Sequence, residues 1–128
     1  MIEVKNLTKK FSKFTALDDL NLTFTNGKSI ALIGPNGCGK TTLIKSILGL
    51  NVIKTGDILV DGKSVKDDYL YRQDIGYMPQ IGRYPENMSI GQTIKMIKDT
   101  RKISETHLDT ELLENFELEK MYDKKMGT

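Results

Sequence analysis

The stretch from Gly34 to Thr42, GPNGCGKTT, restricts this chain more than any other. Gly34, Gly39, Lys40 and Thr41 occupy every fixed position of the pattern G-x-x-x-x-G-K-[ST]. The residue types follow from the task of holding a phosphate chain. Glycines let the backbone wrap closely around phosphates with its N–H groups turned inward. Lys40 offers a compact positive charge to the β- and γ-phosphates, and the Thr41 hydroxyl can ligate Mg2+ between them. The N-terminus of a following helix adds its partial positive charge. An incidental glycine-rich turn would need no particular context, yet the required context stands on both sides. SIALIG, from Ser29 to Gly34, is apolar nearly throughout and reads as a strand buried on both faces. Leu43, Ile44, Ile47 and Leu48 recur at spacings of three and four, the apolar face of a helix, and Gly49 is placed to end it.

The surrounding chain supplies the rest of an α/β fold. IEVKNLTKKF and LNLTFT read as half-buried strands, the second with Leu20, Leu22 and Phe24 at alternate positions. Asn26-Gly27 predicts a tight hairpin turn, because both residues tolerate positive φ. GDILVDGK, Gly56 to Lys63, reads as a strand closing in an Asp-Gly turn, and IGYMP, Ile75 to Pro79, as a strand stopped by its proline. After Gln80 the pattern turns helical. Ser89 and Gln92 have the spacing of a capping box ahead of Ile90, Ile94 and Ile97. A second helix is expected near Glu105 to Phe116, with Leu108, Leu112, Leu113 and Phe116 inward. The expected division is a strand-and-helix part over residues 1–80 and a helical part over 81–128, with the boundary in the turn-rich QIGRYPEN.

Composition narrows the functional classes. With 38% hydrophobic and 28% charged residues the chain has the make-up of a packed domain and not of a disordered one. A net charge of +2 is too small to imply a nucleic-acid or acidic-membrane partner. The single cysteine, Cys38, permits no internal disulfide and fits a reducing compartment. MIEVKNLTKKF shows no apolar stretch after a basic start, and no apolar run approaches the length of a bilayer span. The expected location is the cytosol, or the inner face of the cell membrane when a partner holds the protein there.

A phosphate-binding loop alone does not separate kinases, GTPases and transport ATPases. LTKKF, ALDDLNLTFTNGKSIALIGPNGCGKTTLIKSILGL, GDILVDGK and IGYMPQ together resemble the nucleotide-binding domain of ABC-type ATPases. The resemblance runs along the whole chain and is denser before Gln80. It implies a P-loop NTPase of the ABC type, made of an antiparallel β subdomain, the P-loop strand and helix, and the start of a helical subdomain. It implies ATP and Mg2+ as ligands, gripped by Asn36, Gly37, Cys38, Gly39, Lys40, Thr41 and Thr42, with Ala16 alongside. Phe11 stands where such domains carry an aromatic that stacks on adenine. Tyrosine is commoner there, but the ring face is what stacking needs. The alternatives are that Phe11 is a core residue and Phe14 stacks, or that neither does. Gln80 matches the family's glutamine that reaches Mg2+ and the attacking water, a role its amide suits by offering both donor and acceptor. Lys40 and Gln80 are thus the candidate catalytic residues, and Thr41 and Gln80 the candidate metal ligands.

The resemblance also implies partners. IGRYPEN resembles the segment that touches a transmembrane permease, with Tyr84 and Pro85 as candidate contacts, and an exposed loop as the alternative. A second ATPase copy is the other expected partner. YMPQIGRYPENMSIGQTI resembles single-domain subunits of bacterial export or metal-handling systems. Cys38 reads as a small neutral residue facing away from the phosphates, whose alkylation should block nucleotide. His107 and the charged run EKMYDKK read as solvated surface.

The family's signature motif, its Mg2+-linked aspartate, its catalytic glutamate and its switch histidine find no match in residues 81–128. The chain is therefore expected to be about the first half of the domain, to bind ATP and not to hydrolyse it. The other readings are a soluble ABC ATPase acting on ribosomes or nucleic acid, and a small P-loop kinase. The first usually shows paired domains or basic patches. The second needs an arginine-rich lid, whereas Arg72, Arg83 and Arg101 are scattered.

Overall fold

The computed structural model describes residues 1–82, 84–101 and 110–127. Two compact units divide the chain, Met1–Gly76 and Tyr77–Thr128.

The first unit is built on a hairpin. β1 (Ile2–Phe11) and β2 (Phe14–Phe24) pair antiparallel from Ile2 opposite Phe24 to Phe11 opposite Phe14. The ladder is broken by register shifts, and side chains replace the lost backbone bonds there. The Asn6 amide donates to the Asn21 side chain at 2.8 Å, and the Asp19 amide donates to Thr8 Oγ1 at 3.0 Å. β3 (Thr55–Val60) pairs on the other side of β1, and β4 (Lys63–Ser64) completes the order β2-β1-β3-β4. Between β3 and β4 both Asp61 and Gly62 have positive φ, 48° and 81°, as a type I′ turn requires. The Asp-Gly expectation holds.

α1 (Lys40–Ile47) lies against this sheet through Leu43, which joins Val4, Leu7, Leu17, Ile58 and Val65 in the buried core. Its end is a full Schellman closure. Gly49, at φ 65°, donates to Ser46 O, and Leu50 donates to Lys45 O at 2.8 Å. A short 3-10 turn, Leu70–Asp74, follows later in the same unit.

Two expected strands do not form. Ser29–Gly34 pairs with no strand among the described residues, and Ile33 is 90% exposed. Ile75–Pro79 likewise lies outside every ladder, with Met78 92% exposed. An apolar run becomes a strand only when another strand satisfies its N–H and C=O groups, and it is buried only when something covers it. The Asn26-Gly27 hairpin fails for the same reason. A turn is present and Gly27 has φ 71°, but Asn26 stays at negative φ and the segment after it does not pair back.

The second unit is organised around α2 (Ile90–Arg101). Its capping box is formed in both directions: the Ser89 amide donates to Gln92 Oε1 at 2.9 Å and the Gln92 amide to Ser89 Oγ at 3.2 Å. α3 (Thr110–Asn115) and a 3-10 turn (Leu118–Met121) follow. Residues 105–109 of the expected second helix, with Leu108 and His107, lie outside the described residues, as does Arg83. Phe116 is not inward but 64% exposed, because it falls past the end of α3. EKMYDKK is more than a solvated run. Its charged side chains are largely outward, but the carbonyls of Tyr122 and Lys124 accept from Gly91 and Ile90 at 3.0 and 2.9 Å and so close the start of α2.

Candidate functional site

The loop between residue 34 and α1 is shaped by two glycines and a lysine. Gly37 and Gly39 have φ 82° and 96°, a region closed to most side-chain-bearing residues. At Gly37 a Cβ would meet nothing within 4 Å, so conformation alone demands glycine there. At Gly39 a Cβ would also lie 2.5 Å from the Ala16 carbonyl oxygen and 2.9 Å from Leu17 Cδ2. The loop therefore rests directly on β2, and Ala16 is brought to it through its backbone.

The Lys40 ammonium folds back over the loop and donates to the carbonyls of Gly34 and Pro35 at 2.6 and 2.7 Å. Among the described residues, none of the ion pairs involves Lys40. Its charge is held at the loop without a carboxylate to neutralise it. Cys38 is exposed and packs across Gly34, with Sγ 3.5 Å from the Lys40 ammonium. The sulfur is thus on the lysine side of the loop. Asn36 occupies the exposed turn at the loop's tip, and Thr41 is exposed at the first turn of α1.

Thr42 is braced from behind. The buried Ser46 hydroxyl donates to the Thr42 carbonyl at 2.8 Å, and the Asn51 amide nitrogen donates to the same oxygen at 3.2 Å. Ser46 is fully buried, so this polar pair forms away from water and holds the start of the helix to the chain that leaves its end. At the far end of α1 the Arg72 guanidinium donates to the Gly49 carbonyl, and Tyr71 packs against the same residue.

Phe11 and Phe14 face each other across the end of the β1–β2 hairpin, 47% and 60% exposed. Phe11 is therefore not a core residue. The Lys9 ammonium sits 5.0 Å from the centroid of its ring. Gln80 belongs to the second unit, where it is exposed in a bend; Tyr84 and Pro85 a few residues on are exposed as well.

The geometry brings residues 36–42 and Ala16 together. Sequence reasoning missed the Lys9–Phe11 contact, the Ser46–Asn51 brace and the Arg72 contact on Gly49. Only the first left a signal, since residues two apart on a strand share a face. The residues fit the ligands expected for them. At Gly37 the space where a side chain would stand is open, and the Lys40 ammonium beside the loop is in no ion pair among the described residues. The Thr41 hydroxyl and the Gln80 amide oxygen, one in each unit, are each neutral hard donors of the kind Mg2+ takes. Groups of three or more His, Cys, Asp or Glu able to hold a metal are absent among the described residues, and no helix there is long and apolar enough to cross a membrane.

Comparison with known proteins bears on the same residues. Positions 17–128 match the family described as ABC transporter. An Fe(3+) ions import ATP-binding protein of Pectobacterium atrosepticum is 39% identical over 93 residues, 73% of this chain and 26% of its own length. A sulfate/thiosulfate import ATP-binding protein of Ralstonia nicotianae is 38% identical over 93 residues, 73% of this chain and 25% of its own. A solved structure described as the ATP binding subunit of an ABC transporter superposes with a TM-score of 0.85 at 29% identity, covering 98% of this chain and 54% of that one. The chain spans about a quarter of the length of these curated relatives.

Proposed function

The chain belongs to the ABC transporter family, and we propose that it is the nucleotide-gripping part of an ATPase subunit that drives a membrane permease. The observation that carries this reading is the Lys40 ammonium held over the loop by the Gly34 and Pro35 carbonyls, in no ion pair among the described residues. Such a charge, beside glycines that keep the backbone open, suits a triphosphate.

The roles divide along the loop. The backbone of Asn36, Gly37, Cys38 and Gly39 would wrap the phosphate chain, Lys40 would offer its charge to the β- and γ-phosphates, and Thr42 would lie alongside. Thr41 and Gln80 would hold Mg2+, which when bound neutralises charge on the phosphate oxygens. Phe11 would stack on adenine, with Ala16 also contributing to the nucleotide site. Gln80 orients the attacking water in the complete enzyme. Residues 1–80 serve as the nucleotide-binding core and residues 81–128 as the partner-facing helical part, with Tyr84 and Pro85 at the permease. A second ATPase copy completes the working unit at the inner face of the membrane. The curated relatives above are named for import, which favours an importer over the export systems that YMPQIGRYPENMSIGQTI resembles.

The 128 residues bind ATP and do not turn it over, since hydrolysis needs a carboxylate to polarise the water and, among the described residues, no ion pair brings one to the loop. Calorimetric titration with Mg·ATP should give saturable binding that Lys40→Ala weakens roughly 100-fold, the loss of charge-assisted bonds to phosphate. Absence of Lys40-dependent binding would overturn the proposed grip. A phosphate-release rate that disappears in Lys40→Ala would overturn the claim of binding without turnover.

A further inference from the structure

Lys9 does two things with one ammonium. It lies 5.0 Å from the centroid of the Phe11 ring, within cation–π range, and it donates to the Val52 carbonyl at 2.8 Å. Val52 lies in the run that leaves α1, the helix that begins at Lys40. The same charge therefore links the aromatic at the end of β1 to the backbone downstream of the phosphate loop. A phenyl ring 47% exposed at a hairpin end has little packing to fix its rotamer. Here the ammonium is fixed by a carbonyl, and the ring is fixed by the ammonium.

The ammonium lies over one face of the ring, Phe11 is 47% exposed, and a ligand base would stack on the other face. A cation against one face draws π-density from the other. That lowers the repulsion between the free face and the electron-rich face of a purine. We infer that Lys9 is a positioning residue that sets Phe11 for stacking on the nucleotide base, so that discrimination between a base-bearing triphosphate and a bare one depends on Lys9. This inference rests on the proposed stacking role of Phe11.

The test compares the affinity of the chain for Mg·ATP with that for Mg·ribose-5-triphosphate, which lacks only the base. The ratio of the two isolates the contribution of the base. Lys9→Met should lower ATP affinity about fivefold, the size of an exposed cation–π contact, and leave ribose-5-triphosphate binding unchanged. Lys9→Arg keeps the cation and should restore the ratio. Equal loss of both ligands in Lys9→Met would mean a merely structural role and overturn the inference. So would an unchanged ratio in Lys9→Met while Phe11→Ala reduces it, or a failure of Lys9→Arg to restore it. An unchanged ratio in Phe11→Ala would instead remove the stacking role itself, and the inference with it.

Discussion

The Arg72 guanidinium donates to the Gly49 carbonyl at 3.1 Å, placing a cation at the C-terminal end of the helix that begins with Lys40. That end of a helix carries partial negative charge and unpaired carbonyls, so the contact satisfies both. Gly49 itself has φ 65°, and a Cβ there would lie 2.6 Å from the Tyr71 hydroxyl. Gly49→Ala should therefore destabilise the first unit by about 2 kcal/mol, from a strained backbone and a displaced Tyr71–Arg72 pair. Arg72→Ala should cost about 1 kcal/mol. Urea denaturation followed by circular dichroism measures both. If Gly49→Ala proves no worse than Arg72→Ala, the left-handed cap is not under the stated constraint.

Cys38 is exposed, and its sulfur is on the lysine side of the loop. Alkylation by a bulky maleimide should abolish ATP binding, and saturating ATP should slow the labelling. Full labelling confirmed by mass spectrometry with ATP affinity intact would put the thiol outside the binding path. Cys38→Ser should bind ATP normally and resist the reagent.

Ile58 and Ile33 have similar chemistry and opposite surroundings, one fully buried in the core and the other 90% exposed. Ile58→Ala should cost about 3 kcal/mol through lost burial and a residual cavity. Ile33→Lys should change stability by less than about 0.5 kcal/mol. It should also reduce self-association, because Ile30, Leu32 and Ile33 form an uncovered apolar run. Sedimentation velocity over a concentration series reads that effect. Unchanged sedimentation would mean this run does not drive association.

Ser89 and Gln92 cap α2 reciprocally. Ser89→Ala should weaken the second unit by about 1 kcal/mol, and Ser89→Asp should recover most of it because an aspartate accepts the same amide bond. Amide hydrogen exchange at Thr93 and its neighbours would register the loss. Protection unchanged in Ser89→Ala would assign the stability of that helix start to the Tyr122 and Lys124 carbonyls alone.

Features decided by near neighbours in the chain were legible in the sequence. The Asp61-Gly62 turn, the Gly49 helix end, the Ser89–Gln92 box and the loop from Gly34 to Thr42 each depend on residues within a few positions of one another. Ser29–Gly34 and Ile75–Pro79 were not, because a strand is a relation between segments, and apolarity alone supplies neither a ladder nor a cover. The family was visible in the residues around the loop, and positions 17–128 match it. The partners of Phe11 were half visible. Lys9 could be placed on its face by the two-residue period, but Val52 is 43 residues away in sequence and no local pattern announces it.

The Lys40 ammonium also bears on how a ligand arrives. It already has two carbonyl partners within the loop. A phosphate that recruits it enters into an exchange: new charge-assisted bonds form as hydration and one or both carbonyl contacts are given up. The measured affinity is then a difference between two bonded states. Shifts in the Gly34 or Pro35 carbonyl positions should change nucleotide affinity even though neither carbonyl can itself favour a phosphate.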